Sequence, residues 1–204
     1  LKRYVFRLYY QPLDAFNLSI SSEFEENPNK TQYVTETSFD GDARYITGNI
    51  DQKTFSTAIR FNYSVNPNLS IQYYGEPFIS RGTYTDFNYV NNPIAENLSE
   101  RVTLFSENQI SGSADTNNYL IDEDIDGAID YQIENPNFSY VQFRSNLVLR
   151  WEYIPGSEIF LVWSQGVVGT GDPSETLGRN LDRQILGQKK DNTILLKATY
   201  RFIL

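Results

Sequence analysis

The stretch "NPNLSIQYYGEP", residues 66–77, decides the fold. It opens on a tight-turn signal, because proline presets φ and asparagine tolerates turn conformations. It then alternates. Leu69, Ile71 and Tyr73 fall on one side and Ser70, Gln72 and Tyr74 on the other, the period of a strand with one apolar face. The pattern recurs in "QPLDAFNLSIS" from residue 11 and "IPGSEIFLVW" from residue 154. Each sets a proline turn ahead of an alternating strand.

Working outward, the same alternation marks residues 3–11, 15–25, 53–65, 140–153 and 192–204. Residues 157–167 are apolar on both faces around Trp163. With 69–79 these make seven strands. Two shorter candidates, 31–38 and 43–50, flank "FDGD", a hairpin signal. They are either an excursion above the main sheet or two further strands, so seven to nine strands are expected. Only "SETLGRNLDRQIL", residues 174–186, predicts a helix.

The connections are unequal. Tight turns fall at 12–14, 66–68 and 155–156, and long segments at 80–139 and 168–191. If turns and loops alternate, every tight turn lies on one edge of the sheet. Alternating strands of about ten residues with one-sided turns predict an all-β, antiparallel transmembrane β-barrel of the outer-membrane kind. On this reading residues 1–204 form a single barrel segment, with 81–137 as a long extracellular loop. The apolar face meets lipid. The other face, carrying Arg3, Arg7, Glu23, Arg60, Glu76, Arg150, Glu152, Lys197 and Arg201, lines the lumen. A soluble β-sandwich or lipocalin-like barrel shares the alternation, but it gives no reason for turns confined to one edge.

Composition narrows the chemistry. The formal net charge of -9 argues against binding nucleic acid through its phosphates. The chain has no cysteine and no histidine, so disulfides, Cys/His zinc sites and His-based catalytic triads are excluded. Acids remain for a glycosidase-type carboxylate pair, but most lie in loops where carboxylates are solvated, and no enzymatic activity is expected. No apolar run approaches the ~18 residues of a transmembrane helix. The chain starts in mid-strand at "LKRYVFRLYY", which is read as the C-terminal part of a larger protein. The last strand, "KATYRFIL", resembles the terminal signal of outer-membrane barrels, with Thr199 where glycine is usual and Leu204 where Phe is commoner.

The sharpest local motif is "DEDIDGAID", residues 122–130. Asp122, Asp124 and Asp126 occupy positions 1, 3 and 5 of a calcium loop, Gly127 position 6, Ala128 the backbone-carbonyl position and Asp130 position 9. Position 12 is Ile133 rather than glutamate. A structural calcium ion is the expected cofactor, and an acidic solvated loop is the competing reading.

Three runs carry a family resemblance: "FRSNLVLRWEYIPGSEIFLVWSQ" (143–165), "DQKTFSTAIRFNYSVNPNLSIQYYGEPFISRGTY" (51–84) and "NTILLKATYRFIL" (192–204). Together they resemble a Bacteroidota outer-membrane family. Its members join an N-terminal domain like family-9 carbohydrate-binding modules to a C-terminal β-barrel. The resemblance implies the outer membrane of a Gram-negative cell, lipid and other outer-membrane proteins as partners, and glycan contact through an N-terminal domain outside these residues. It implies a role in a surface complex or in glycan-related binding and uptake. A diffusion or substrate-specific channel is the alternative, and a barrel-embedded hydrolase the least expected.

Overall fold

The computed structural model describes residues 1–113 and 117–202. The chain is all-β with antiparallel sheets. Its elements in order are β1 (Lys2–Leu13), β2 (Phe16–Phe39), β3 (Asp42–Asn66), β4 (Leu69–Val90), α1 (Leu98–Arg101), β5 (Val102–Leu104), β6 (Ile110–Ser113), β7 (Asn118–Ile121), β8 (Tyr131–Glu134), β9 (Phe138–Ile154), β10 (Ser157–Thr170), α2 (Leu177–Leu181) and β11 (Asp191–Ala198). A π-helical turn, Asp182–Leu186, extends α2. Among the described residues no helix is long and apolar enough to cross a membrane.

The main sheet has the order β1-β2-β3-β4-β9-β10-β11, with β5 paired to the far end of β4. Among the described residues no closed barrel is seen: β1 and β11 are the ends of that order. Residues 31–38 and 43–50 add no strands to it. They are the outer halves of β2 and β3, which run unbroken for 24 and 25 residues. Asp40 and Gly41 turn the hairpin with φ of 50° and 84°, the left-handed pair that matches strand twist. The hairpins at the opposite end turn at 14–15, 67–68 and 155–156.

The chain divides into two compact units. The first comprises Leu1–Glu26, Lys53–Arg81 and Phe138–Leu204. Its covered core is small: Ile79, Val141 and Ile185, with Phe55, Phe143, Val167, Leu177 and Leu181 packed against them. Leu177, Leu181 and Ile185 recur every four residues, so one helical stripe lies on the sheet. Thr176 caps α2 by accepting from the Arg179 N–H at 3.3 Å. Buried Asn180 ties the helix down by donating to the Asp172 carbonyl at 2.7 Å. Gly171 leaves it room, since a Cβ there would lie 2.7 Å from Asn180 Cγ.

The second unit comprises Asn27–Gln52 and Gly82–Asn137. It holds a conventional core of Ile46, Phe87, Phe105, Ile121, Tyr131 and Ile133. The small sheet β6-β7-β8 belongs to it. Ile121 and Ile133, both fully buried, come from adjacent strands of that sheet. Burial of each is worth about 1.5–3 kcal/mol.

Candidate functional site

The two faces of the first unit differ in kind. On one, Ile71, Leu147, Leu149, Leu161, Trp163 and Ile194 line a shallow apolar groove of about 270 Å³. Register explains the continuity. Trp163 stands opposite both Leu147 and Ile194, and Leu161 opposite both Leu149 and Leu196. Period two therefore puts every one of them on the same side. Ile71, Leu147 and Leu149 are half-buried, whereas Leu161 and Trp163 are 39% exposed, Leu196 69% and Ile194 70%.

The band has two boundaries. Toward the tight turns it ends in aromatic rings. Tyr10 meets Phe16, Phe16 meets Phe61 and Tyr63, Trp151 meets Tyr153, and Tyr200 meets Phe202, with centroids 4.8–6.3 Å apart. Toward the other end α2 covers the same face, over Val141, Phe143 and Val167.

The opposite face is polar and paired. Arg3 reaches Glu23 at 2.6 Å. Arg7 follows on the same side of β1, opposite Ser21. Arg60 lies 4.9 Å over the Tyr74 ring, and the Tyr74 hydroxyl donates to Glu76 at 2.5 Å. Arg150 Nε donates to Glu158 at 2.9 Å and its head group lies 4.0 Å from Glu152. Lys197 lies 5.9 Å over Phe160. Glu152 accepts from the Gly156 N–H at 2.8 Å. Arg201 sits beside the same turn, its N–H donating to Ser157 Oγ at 3.0 Å. The residues read as lumen-facing thus lie opposite the apolar band, in several local clusters. Glu158 was missed as the partner of Arg150. Its position just past the Pro155–Gly156 turn, opposite Glu152 across the hairpin, is the signal that finds it.

In the second unit the acidic loop splits its side chains between two environments. Glu123 turns inward. Arg44 Nε donates to it at 2.9 Å and the Tyr131 hydroxyl at 2.6 Å. Burial and that hydrogen bond hold the Tyr131 phenol well above its usual range. Arg44 also lies over the rings of Phe39 and Tyr89, at 5.4 and 5.5 Å. Asp122, Asp124 and Asp130 turn outward and offer carboxylate oxygens within 4.8 Å of one another. Desolvation, then Asp126, raise the Asp124 carboxyl above its usual range. Asp126 lies outside that group of three, and its carboxylate accepts from the Ala128 N–H at 2.8 Å. Gly127 has φ of 93°, and its N–H donates to Asp122 at 2.9 Å. Ile133, at the twelfth position, is buried in the core and supplies no ligand.

Residues 2–203 match a family described as a domain of unknown function, DUF5916. The chain belongs to the DUF5916 family. Neither a curated protein nor a solved structure matches it.

Alternation does not reveal a recess in the second unit of the DUF5916 chain. A cleft of about 490 Å³ in the second unit is lined by Tyr84, Asp86, Phe87, Glu107 and Tyr119 among others. Phe87 and Tyr119 meet as tilted rings with centroids 4.6 Å apart. Asn49 donates to the Asp86 carboxylate at 2.6 Å. Burial raises the Tyr84 phenol, which stays neutral. The cleft forms from segments distant in sequence, so no local motif announces it.

Proposed function

We propose that the first unit is lipid-spanning wall of an outer-membrane β-barrel, and that the second unit is exposed to the medium outside. The observation that carries this is the apolar band across four adjacent strands, edged by aromatic rings at the tight turns and backed by an ion-paired face. Aromatic rings favour the membrane–water interface because they are apolar at one end and wet at the other. A band of this size in water is unfavourable unless another surface covers it. A sandwich would cover it with a second sheet, and among the described residues nothing covers Leu161 or Trp163. On β10 the stretch from Ser157 to Val167 lies between the turn and α2. That matches the ~9–11 tilted residues of one crossing.

The wall serves a surface complex that binds or takes up glycans. Support comes from the family resemblance set out above and from the cleft of the second unit. Aromatic faces beside carboxylates suit a small polar ring with hydroxyls. The channel reading is weaker, because Arg60–Tyr74, Lys197–Phe160 and Arg150–Glu158 fill the polar face with bulky paired groups. The acidic loop is proposed to hold a structural calcium ion on Asp122, Asp124 and Asp130.

Cell fractionation tests the wall: the protein is expected in the outer-membrane fraction, and recovery in a soluble fraction contradicts it. Titration with a panel of oligosaccharides tests the cleft. Binding that Tyr119→Ala or Asp86→Ala weakens supports it, and binding indifferent to both removes it.

A further inference from the structure

The apolar band gives way to polar groups beside α2. Trp163 lies on the band, and its indole Nε1 donates to Asn192 Oδ1 at 3.0 Å. Gln165 Nε2 donates to the same oxygen at 2.9 Å, and Asn192 Nδ2 donates to the Lys190 carbonyl at 2.8 Å. A tryptophan with its ring on apolar groups and its N–H on polar ones suits a membrane–water boundary.

At that level a second groove opens on the same face. It has a volume of about 490 Å³ and is lined by Pro77 and Phe143 of the sheet and by Leu181, Ile185 and Leu186 of the helical segment. Phe143 keeps the period of Leu147 and Leu149, so the groove continues the band along the edge of the helix. Two features leave it unfilled. Gly178 lines it, and a Cβ there would meet nothing within 4 Å. Glycine inside a helix is unfavourable, and here no close approach requires it. Leu186, next to buried Ile185, is 73% exposed.

The polar side of this segment is basic. Residues 177–190 carry Arg179, Arg183, Lys189 and Lys190 against the single acid Asp182, in a chain of net charge -9. Arg183 is held by Glu175 at 2.6 Å. Lys190 is half-buried, lines the groove together with Asp182 and Gln165, and makes no ion pair among the described residues. An ammonium group beside an apolar groove fits a ligand with an anionic head and a hydrocarbon tail.

We infer that the groove beside α2 holds one acyl chain of an anionic, phosphate-bearing lipid, with the phosphate on Lys190. A free phosphate would leave the groove empty, and an uncharged tail would leave Lys190 without a partner. The inference rests on the membrane reading, since it takes the groove to open on the bilayer.

Phosphatidylglycerol titrated into the full chain, purified from membranes in detergent, tests it, with retained lipid read by native mass spectrometry. One lipid is expected per chain. Lys190→Ala is expected to weaken retention about fivefold. Gly178→Leu fills the groove and is expected to abolish retention. A helix former in place of glycine keeps the fold, which circular dichroism checks. Soluble glycerol phosphate is expected not to displace the lipid. No retention, or equal retention by wild type and Gly178→Leu, overturns the inference. Displacement by glycerol phosphate overturns it too, by marking a phosphate site alone. An unchanged affinity in Lys190→Ala overturns the headgroup contact and with it the anionic lipid. Each of these results leaves an outer-membrane location intact, whereas recovery of the protein in a soluble fraction overturns the membrane reading itself.

Discussion

Glu123 decides how the acidic loop sits, because its carboxylate is almost enclosed, at 7% side-chain exposure, against Arg44 at 20%. Removing one partner of so enclosed a pair strands the other charge. Arg44→Met is expected to destabilise the second unit by about 3 kcal/mol, read by limited proteolysis of that unit across a urea series. Tyr131 gives a pH signature. Its folded pKa is raised above the unfolded value of about 10, so its contribution is complete below that value and is lost as pH rises beyond it. Alkaline melts should show this loss, and Tyr131→Phe should flatten the profile. Asp124 has the same sign at the acid end. Its raised carboxyl is stabilising only while protonated, so at neutral pH the crowded carboxylates oppose one another and a cation offsets them. Calcium is expected to raise the melting temperature of the second unit and Asp122→Asn to cancel that rise. An unchanged melt removes the calcium proposal. The spacing of Asp122, Asp124 and Asp130 was legible in the sequence. The inward turn of Glu123 was not, because its partner Arg44 lies far off in the chain.

Strands were legible where one face is apolar and were misjudged where a local turn signal was overridden. The tripeptide Asn-Pro-Asn occurs three times. At 66–68 it makes the tight turn, at 135–137 it leads into β9, and at 27–29 β2 runs straight through it. The last two fall at the joins between the two units. Proline fixes φ but is compatible with extended backbone, so tertiary pairing chose the outcome at each place. That is why residues 31–38 and 43–50 read as separate strands. The apolar band makes a prediction of its own. Leu161 stands mid-band, so Leu161→Arg is expected to cost about 2–4 kcal/mol when folding into lipid vesicles is titrated with urea. A cost near zero would place that face in water. The turn at Gly156, with φ of 79° and the Arg201 side chain against it, should resist substitution. Gly156→Val is expected to cost about 1–2 kcal/mol in the same titration.

On the proposed membrane reading, the tight turns of the first unit lie on the inner side of the outer membrane and the second unit meets the medium outside. Alternation and one-sided turns were enough to read a half-apolar antiparallel sheet. Neither the folded second unit nor its cleft could be read, since both are assembled from segments far apart in sequence. With no native cysteine, single-cysteine labelling on intact cells tests the assignment directly. Glu96 is exposed in the second unit and Asn68 is exposed in a tight turn of the first. A membrane-impermeant maleimide is expected to label Glu96→Cys on whole cells and Asn68→Cys only after the outer membrane is opened. Equal labelling of both sites in intact cells would contradict a sheet that spans the membrane.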